Sequence, residues 1–183
     1  MEIKNIAKGG RIRPIIRMGN PLLTKISDDI NPESKETMSI IKDMAATIID
    51  VGQIAGLAAT QIGYLKKIIY YQVVASRGDS YNPEGVKPVF LINPTYKSVG
   101  AEKIVKWEAC LSIPGLAAKV ERFLSIHLKA TGWDGESFYD IDKIIHGYEA
   151  RVLQHEIDHL QGILYVLKRI SPSSLSYIEA LET

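Results

Sequence analysis

The chain holds one cysteine, Cys110, in 183 residues, so no disulfide can form within it. That fits a reducing compartment and excludes a small cystine-stapled scaffold. Charge of one sign is also missing: 22 Lys and Arg face 21 Asp and Glu, which leaves no global field to draw in DNA. No apolar run approaches the roughly 20 residues that a membrane helix needs. No basic stretch followed by an apolar one marks a secretory signal. Internal repeats and low-complexity tracts are absent. What remains is an ordinary composition, 46% hydrophobic and 23% charged, and a length suited to a single domain over residues 1–183. A cytoplasmic protein is expected, with an organellar one left open. Neither DNA nor a membrane is an expected partner.

One local asymmetry is present. The first 19 residues carry Lys4, Lys8, Arg11, Arg13 and Arg17 against Glu2 alone. A solvated arm is the preferred reading, and a targeting or ribosome-facing segment is the other.

Asn31-Pro32-Glu33 has the signals of a helix start: a capping side chain, a first-turn proline and a first-turn acid. Met38, Ile41, Met44, Ala45, Ile48 and Ile49 recur at helical spacing, which predicts an N-terminal amphipathic helix over residues 32–51. Ile68 to Val74 reads as a strand and residues 76–87 as a polar loop. Val89 to Ile92 reads as a short strand ended by Asn93-Pro94, and residues 103–107 as another. Val120 to Gly132 and Ser137 to Ile141 flank Asp134-Gly135, a hairpin signal. Ile163 to Val166 reads as a short strand, and Ser171-Pro172 as the opening of a modest C-terminal helix. Strands in the middle with helices on either side predict an α+β fold, mostly antiparallel sheets packed around a central helix late in the chain.

That late helix carries the most informative run, Gln154-His155-Glu156-Ile157-Asp158-His159. Residues four apart lie one turn apart on the same helical face. His155 and His159 can therefore offer two imidazole nitrogens to one metal ion, with Glu156 beside them. Two imidazoles and a carboxylate able to take a proton from water on the metal make a minimal hydrolase centre. No proline interrupts residues 145–161, and Gly162 sits where a helix C-terminus is expected. A third donor is still needed. His127 lies in an alternating strand and could point either way. His146 is nine residues before His155 and faces away. Cys110 lies in Glu108-Ala109-Cys110-Leu111-Ser112, a non-repetitive stretch after a strand, and a thiolate would complete a Cys-His-His set that leaves a position open.

Three segments in order, Ile54 to Gln61, Glu108 to Ser112 and Gln154 to His159, together with Arg17 to Leu23, give a chain that resembles the peptide deformylases over roughly residues 13–167. These enzymes remove the formyl group from N-formylmethionine on new polypeptides. Arg151 to His159 looks closer to the branch that includes organellar enzymes and their bacterial relatives. The resemblance implies that Cys110, His155 and His159 hold one divalent metal, Fe²⁺ natively, with Zn²⁺, Ni²⁺ or Co²⁺ able to substitute. It implies Glu156 as general base, and Gln61 with the backbone N–H of Leu111 as donors to the formyl oxygen. It places Ile54, Ala55, Gly56 and Ala109 along the cleft for an N-formylmethionyl peptide. Glu108 and Asp158 flank the ligands as orienting carboxylates, with Arg122 and Arg151 as candidate cations for them. Tyr148 and Val152 either line the methionine pocket or belong to the core. A metal-binding but catalytically weak paralogue that recognises N-terminal peptides is the alternative, disfavoured because Glu156 and Gln61 are retained. A metallopeptidase of another substrate class is disfavoured by the cysteine in the ligand set.

The pattern is broken twice. Ile54 and Ala109 stand where the family shows glycine, while Thr60 in place of proline is benign. A branched residue does not easily take positive φ, so either the backbone is ordinary at these positions or the cleft is reshaped. Reverting Ile54→Gly and Ala109→Gly is expected to raise kcat/KM on formyl-Met peptides or shift peptide preference. No gain in either variant would remove the idea that these residues tune efficiency.

Overall fold

The computed structural model describes residues 2–181. Three α-helices, α1 (Ile3–Ile6), α2 (Lys35–Val51) and α3 (Gly147–Leu160), accompany eight strands. These are β1 (Gly56–Ala58), β2 (Ile68–Val73), β3 (Val86–Ser98), β4 (Lys103–Cys110), β5 (Ile113–Phe123), β6 (Ser125–Trp133), β7 (Phe138–His146) and β8 (Leu175–Tyr177). All their pairings are antiparallel, in a five-stranded sheet ordered β1-β2-β3-β6-β7 and a three-stranded sheet ordered β4-β5-β8. No helix among the described residues is long and apolar enough to cross a membrane.

The larger sheet is covered on both faces. Successive strand residues point to opposite sides. In β2, Ile68 and Tyr70 face the cluster built on α2, with Ile40, Ile41, Met44, Ala45 and Ile48. Ile69 and Tyr71 face the cluster built on α3, with Val152, Leu153, Ile157 and Leu160. That double covering is why β2 and the middle of β3 read as continuous apolar runs rather than alternating ones. A third cluster, with Leu23, Ile113, Val120 and Tyr165, packs the smaller sheet. α3 packs over β1, β2 and β7 and also touches β5 of the other sheet.

Several sequence expectations are corrected. α2 starts at Lys35 rather than 32, because the Ser34 hydroxyl accepts from Thr37 N–H at 3.1 Å while Asn31 is occupied in a turn with Glu33 N–H. Ile49, placed in its apolar stripe, is 43% exposed. The basic N-terminal arm is not free. α1 packs on α2, and the following segment is tied down by Arg11 N–H to Asp43, Arg13 N–H to Thr47, and Ile16 N–H to the Gln61 carbonyl. Gly10 permits this approach, since a Cβ there would lie 2.2 Å from the Lys42 carbonyl oxygen. Residues 120–132 span two strands in different sheets, with the break at Leu124. The Ile163–Val166 strand is replaced by a 3-10 turn at Tyr165–Lys168. The C-terminal helix is replaced by short 3-10 turns on either side of β8, which pairs with Leu116–Ala118 of β5.

β3 does not stop at Asn93-Pro94. It runs through them on a bulge between Ile92 and Thr95. Asn93 takes φ 51°, a left-handed value that asparagine tolerates better than other residues with a side chain. Its amide accepts from Ile30 N–H at 3.0 Å and donates to the Ile30 carbonyl at 2.8 Å. Asn93→Ala is expected to cost about 2–3 kcal/mol, combining two lost hydrogen bonds with left-handed strain. Asn93→Gly, free of that strain, should cost less. Urea midpoints for the two variants check the order, and a glycine variant as unstable as the alanine one would contradict it.

Candidate metal centre and cleft

β4 ends at Cys110, and α3 presents His155 and His159 toward it from above the larger sheet. Ligating atoms of these three residues lie within 4.8 Å of one another. The Cys110 sulfur is 3.2 Å from His159 Nε2. Two bonds of about 2.0–2.3 Å from a single ion span such a separation. His159 is buried, and its Nδ1 has no hydrogen-bond partner. Burial, followed by the charge of His155, holds the His159 pKa well below the usual imidazole range. For His155, burial acts the same way, but bonds to Cys110 and Glu108 outweigh it and raise the pKa. A soft sulfur with two imidazoles is a donor set suited to Zn²⁺ or Fe²⁺. The residues present therefore fit a divalent metal.

Glu108 orients this set. Its carboxylate accepts His155 Nδ1–H at 2.9 Å, which directs the other ring nitrogen toward Cys110. Arg122 grips the same carboxylate through Nε and Nη2, both at 2.9 Å, and Arg151 Nη1 reaches it at 2.6 Å. Burial pushes the Glu108 pKa up, but the bonds from Arg122 and His155 win and hold it far below the usual carboxylate range. Arg122 also bridges to Asp158 on α3, whose second oxygen accepts from Lys168 at 2.8 Å.

Glu156 lies in the cleft wall at 5% exposure, with Oε2 free of any hydrogen-bond partner. Burial pushes its pKa up to about 7, against the opposing pull of His155. Its carboxyl packs directly on Gly56: a Cβ there would come within 2.4 Å of Oε1. Gln61 is fixed by Ala58 N–H, which donates to its Oε1 at 2.9 Å. The Gln61 NH₂ therefore points to Cys110 Sγ at 3.4 Å and to Ser112 Oγ at 3.2 Å. Leu111 is in the tight turn from β4 into β5.

Gln61, Glu108, Cys110, Leu111, His155 and Glu156 border one cleft of about 610 Å³, while His159 is not among its lining residues. Ile54, Ala55, Gly56, Ala109, Tyr148 and Val152 line it. Tyr148 and Val152 also pack on the α3 cluster, so cleft wall and core are the same residues there. Ile54 and Ala109 both have ordinary negative φ, which removes any backbone demand for glycine at either position. The remaining histidines lie apart: His146 bonds Ser125 at 2.7 Å and stacks on Tyr81, and His127 pairs with Asp142. Ser112 closes the Glu108–Ser112 motif and accepts from Gln61, whereas Lys168, Tyr165, stacked 6.0 Å from His155, and Ile178, in the cleft wall, join the site with no motif to announce them. Replacing Arg122 with Met is expected to destabilise the fold by about 3–5 kcal/mol, the cost of leaving buried carboxylates short of a partner. Chemical denaturation checks it, and a loss under about 1 kcal/mol would mean Arg151 and Lys168 suffice.

A family model described as polypeptide deformylase matches residues 12–174. The chain is 38% identical over 178 residues to peptide deformylase 1 of Prochlorococcus marinus, covering 94% of this chain and 88% of that one. It is 37% identical to the peptide deformylase of Leptospira biflexa, covering 94% and 96%. Among solved structures, the Met-Ala-Ser-bound class I type b peptide deformylase of Acinetobacter baumannii superposes with a TM-score of 0.72 at 27% identity, over 86% of this chain and 98% of that one. The peptide deformylase of Synechococcus elongatus in complex with actinonin gives 0.74 at 26% identity, over 88% and 81%. By sequence and by fold, the chain belongs to the polypeptide deformylase family.

Proposed function

We propose that residues 1–183 act as one catalytic domain that hydrolyses the formyl group from N-formylmethionyl peptides, with Cys110, His155 and His159 as metal ligands and Fe²⁺ as the native ion. The observation that carries this reading is the meeting of a sulfur from β4 with two imidazoles from α3 at the base of a peptide-sized cleft. A divalent cation bound there supplies Lewis acidity that makes water a nucleophile near neutral pH. Zn²⁺, Ni²⁺ and Co²⁺ suit the same donors.

The protein's own groups do the rest. Glu156 takes a proton from the attacking water and returns it to the leaving amine, so that water and formamide become formate and a free N-terminus. Its buried Oε2, free of any other partner among the described residues, is available to take up and return that proton. Gly56 sets where the carboxylate stands. Gln61 Nε2, and the N–H of Leu111, donate to the carbonyl oxygen as charge develops on it, each worth about 3–4 kcal/mol. Ile54, Ala55, Gly56 and Ala109 flank the peptide backbone, and Tyr148 and Val152 the first side chain. The curated relatives reported above are bacterial, which supports a cytoplasmic, bacterial-type enzyme. Lys4, Lys8 and Arg11 remain exposed, and we assign this basic arm to contact with the ribosome, where formylated chains arise.

Protein purified without oxygen should release formate from formyl-Met-Ala-Ser and leave the peptide bonds intact. Glu156→Gln should lose about 10²–10⁴ in kcat at unchanged metal content. Cys110→Ala should lose the metal itself. Full metal occupancy with no formate release would overturn the reading in favour of a binding paralogue.

A further inference from the structure

The charge around the cleft is lopsided. Its lining carboxylates are Glu108 and Glu156, both buried. Glu108 is saturated by Arg122, Arg151 and His155, and Arg151 is buried and spent on Glu108 and backbone carbonyls. Arg17 and Arg77 also line the cleft, and both are exposed. Among the described residues, neither has a carboxylate within ion-pair distance.

Both guanidinium groups sit on anchored backbone. Arg17 lies between Ile16, whose N–H donates to the Gln61 carbonyl, and Met18, whose N–H donates to the Ser112 carbonyl, each at 2.8 Å. Arg77 belongs to the segment between β2 and β3, which is latched onto the start of α3. Asp79 accepts from Tyr148 N–H at 2.6 Å, and Asn82 donates to Glu149 at 2.9 Å. A Cβ at Gly147 would come within 2.1 Å of the Asp79 carboxylate, so the latch seats directly on that glycine. From this platform Arg77 Nη1 donates to the Tyr148 hydroxyl at 3.1 Å, which leaves its other donors unused by any residue described.

Two uncompensated guanidinium groups on anchored backbone in the cleft lining match a carboxylate on a peptide seated there. We propose that Arg17 and Arg77 make this cleft selective for formyl peptides with an acidic residue within a few positions of the N-terminus. The inference rests on the deformylase reading above.

The test compares formyl-Met-Ala-Glu, formyl-Met-Ala-Gln and formyl-Met-Ala-Lys, all as C-terminal amides, at low salt. The glutamate peptide should exceed the lysine peptide in kcat/KM by roughly two- to fivefold per guanidinium, mainly through KM. The ratio should fall toward one in about 1 M NaCl, where the Debye length is about 3 Å. It should also drop in Arg17→Gln and Arg77→Gln. Calorimetric binding of unformylated Met-Ala-Glu-amide and Met-Ala-Lys-amide should give the same order without turnover. A glutamate-to-lysine ratio of one or below, or one that ignores salt in the unaltered chain, overturns the proposal while leaving the activity standing. A gain seen only for the free-acid form of formyl-Met-Ala-Gln over its amide assigns the effect to a chain-end carboxylate and overturns it too. Absence of turnover on all three peptides removes the deformylase reading and this inference with it.

Discussion

The site depends on one buried carboxylate. Glu108 is 8% exposed, and an ionised carboxylate at that depth costs several kcal/mol unless its lone pairs are used. Here they are used fully: a two-point grip from Arg122 on β5, a contact from Arg151 on α3, and the imidazole of His155. One side chain on β4 therefore joins three elements, and the requirement to satisfy it fixes how α3 sits over the smaller sheet. The same constraint turns the His155 ring. Alternating charge extends it, from Glu108 through Arg122 to Asp158 and Lys168.

Chemistry and cleft shape are separable in this chain. The glycine it keeps, Gly56, is the one with a collision to avoid, because the Glu156 carboxyl rests against it. The two glycines it replaces, at Ile54 and Ala109, fall where the backbone is ordinary. Ala109 pairs across the hairpin with Ala117 and projects only a methyl group. Ile54 packs partly onto the α2 cluster while still bordering the cleft, so its branched side chain is accommodated by the core. Both departures lie in the cleft walls, and Glu156 and Gln61 keep their contacts with Gly56 and Ala58.

What could be read in the sequence was local or carried by motif. The spacing of His155 and His159 is a property of six residues. The hairpin at Asp134-Gly135 is another local signal, and β6 and β7 pair there from Trp133 and Phe138 onward. Joining Cys110 to the histidines needed the family likeness, because no local rule ties the end of one strand to a helix far downstream. Three of the misreadings share one cause, which is that punctuation residues have more than one use. Asn93-Pro94 looked like a strand end and is a bulge paid for by two bonds to Ile30. Ser171-Pro172 looked like a helix start, but the next residues find a better partner in the free edge of β5. Asn31-Pro32 looked like a cap, and the cap belongs to Ser34. The basic side chains of the arm are largely exposed, as read, but its backbone is tied down, and the anchors, Asp43, Thr47 and the Gln61 carbonyl, are invisible until the chain is folded. Lys168 and Tyr165 were silent for the same reason.

The donors of the cluster come from opposite sides of the architecture. Cys110 ends a strand of the smaller sheet, and the histidines ride on a helix packed over the larger one, 49 positions later in the case of His159. No fragment that lacks α3 can assemble the trio, since a ribosome must finish the helix before sulfur and nitrogen can meet. An ion held by the trio would bind only once α3 is in place, and it would act as a rivet holding closed the seam between two independently hydrogen-bonded sheets.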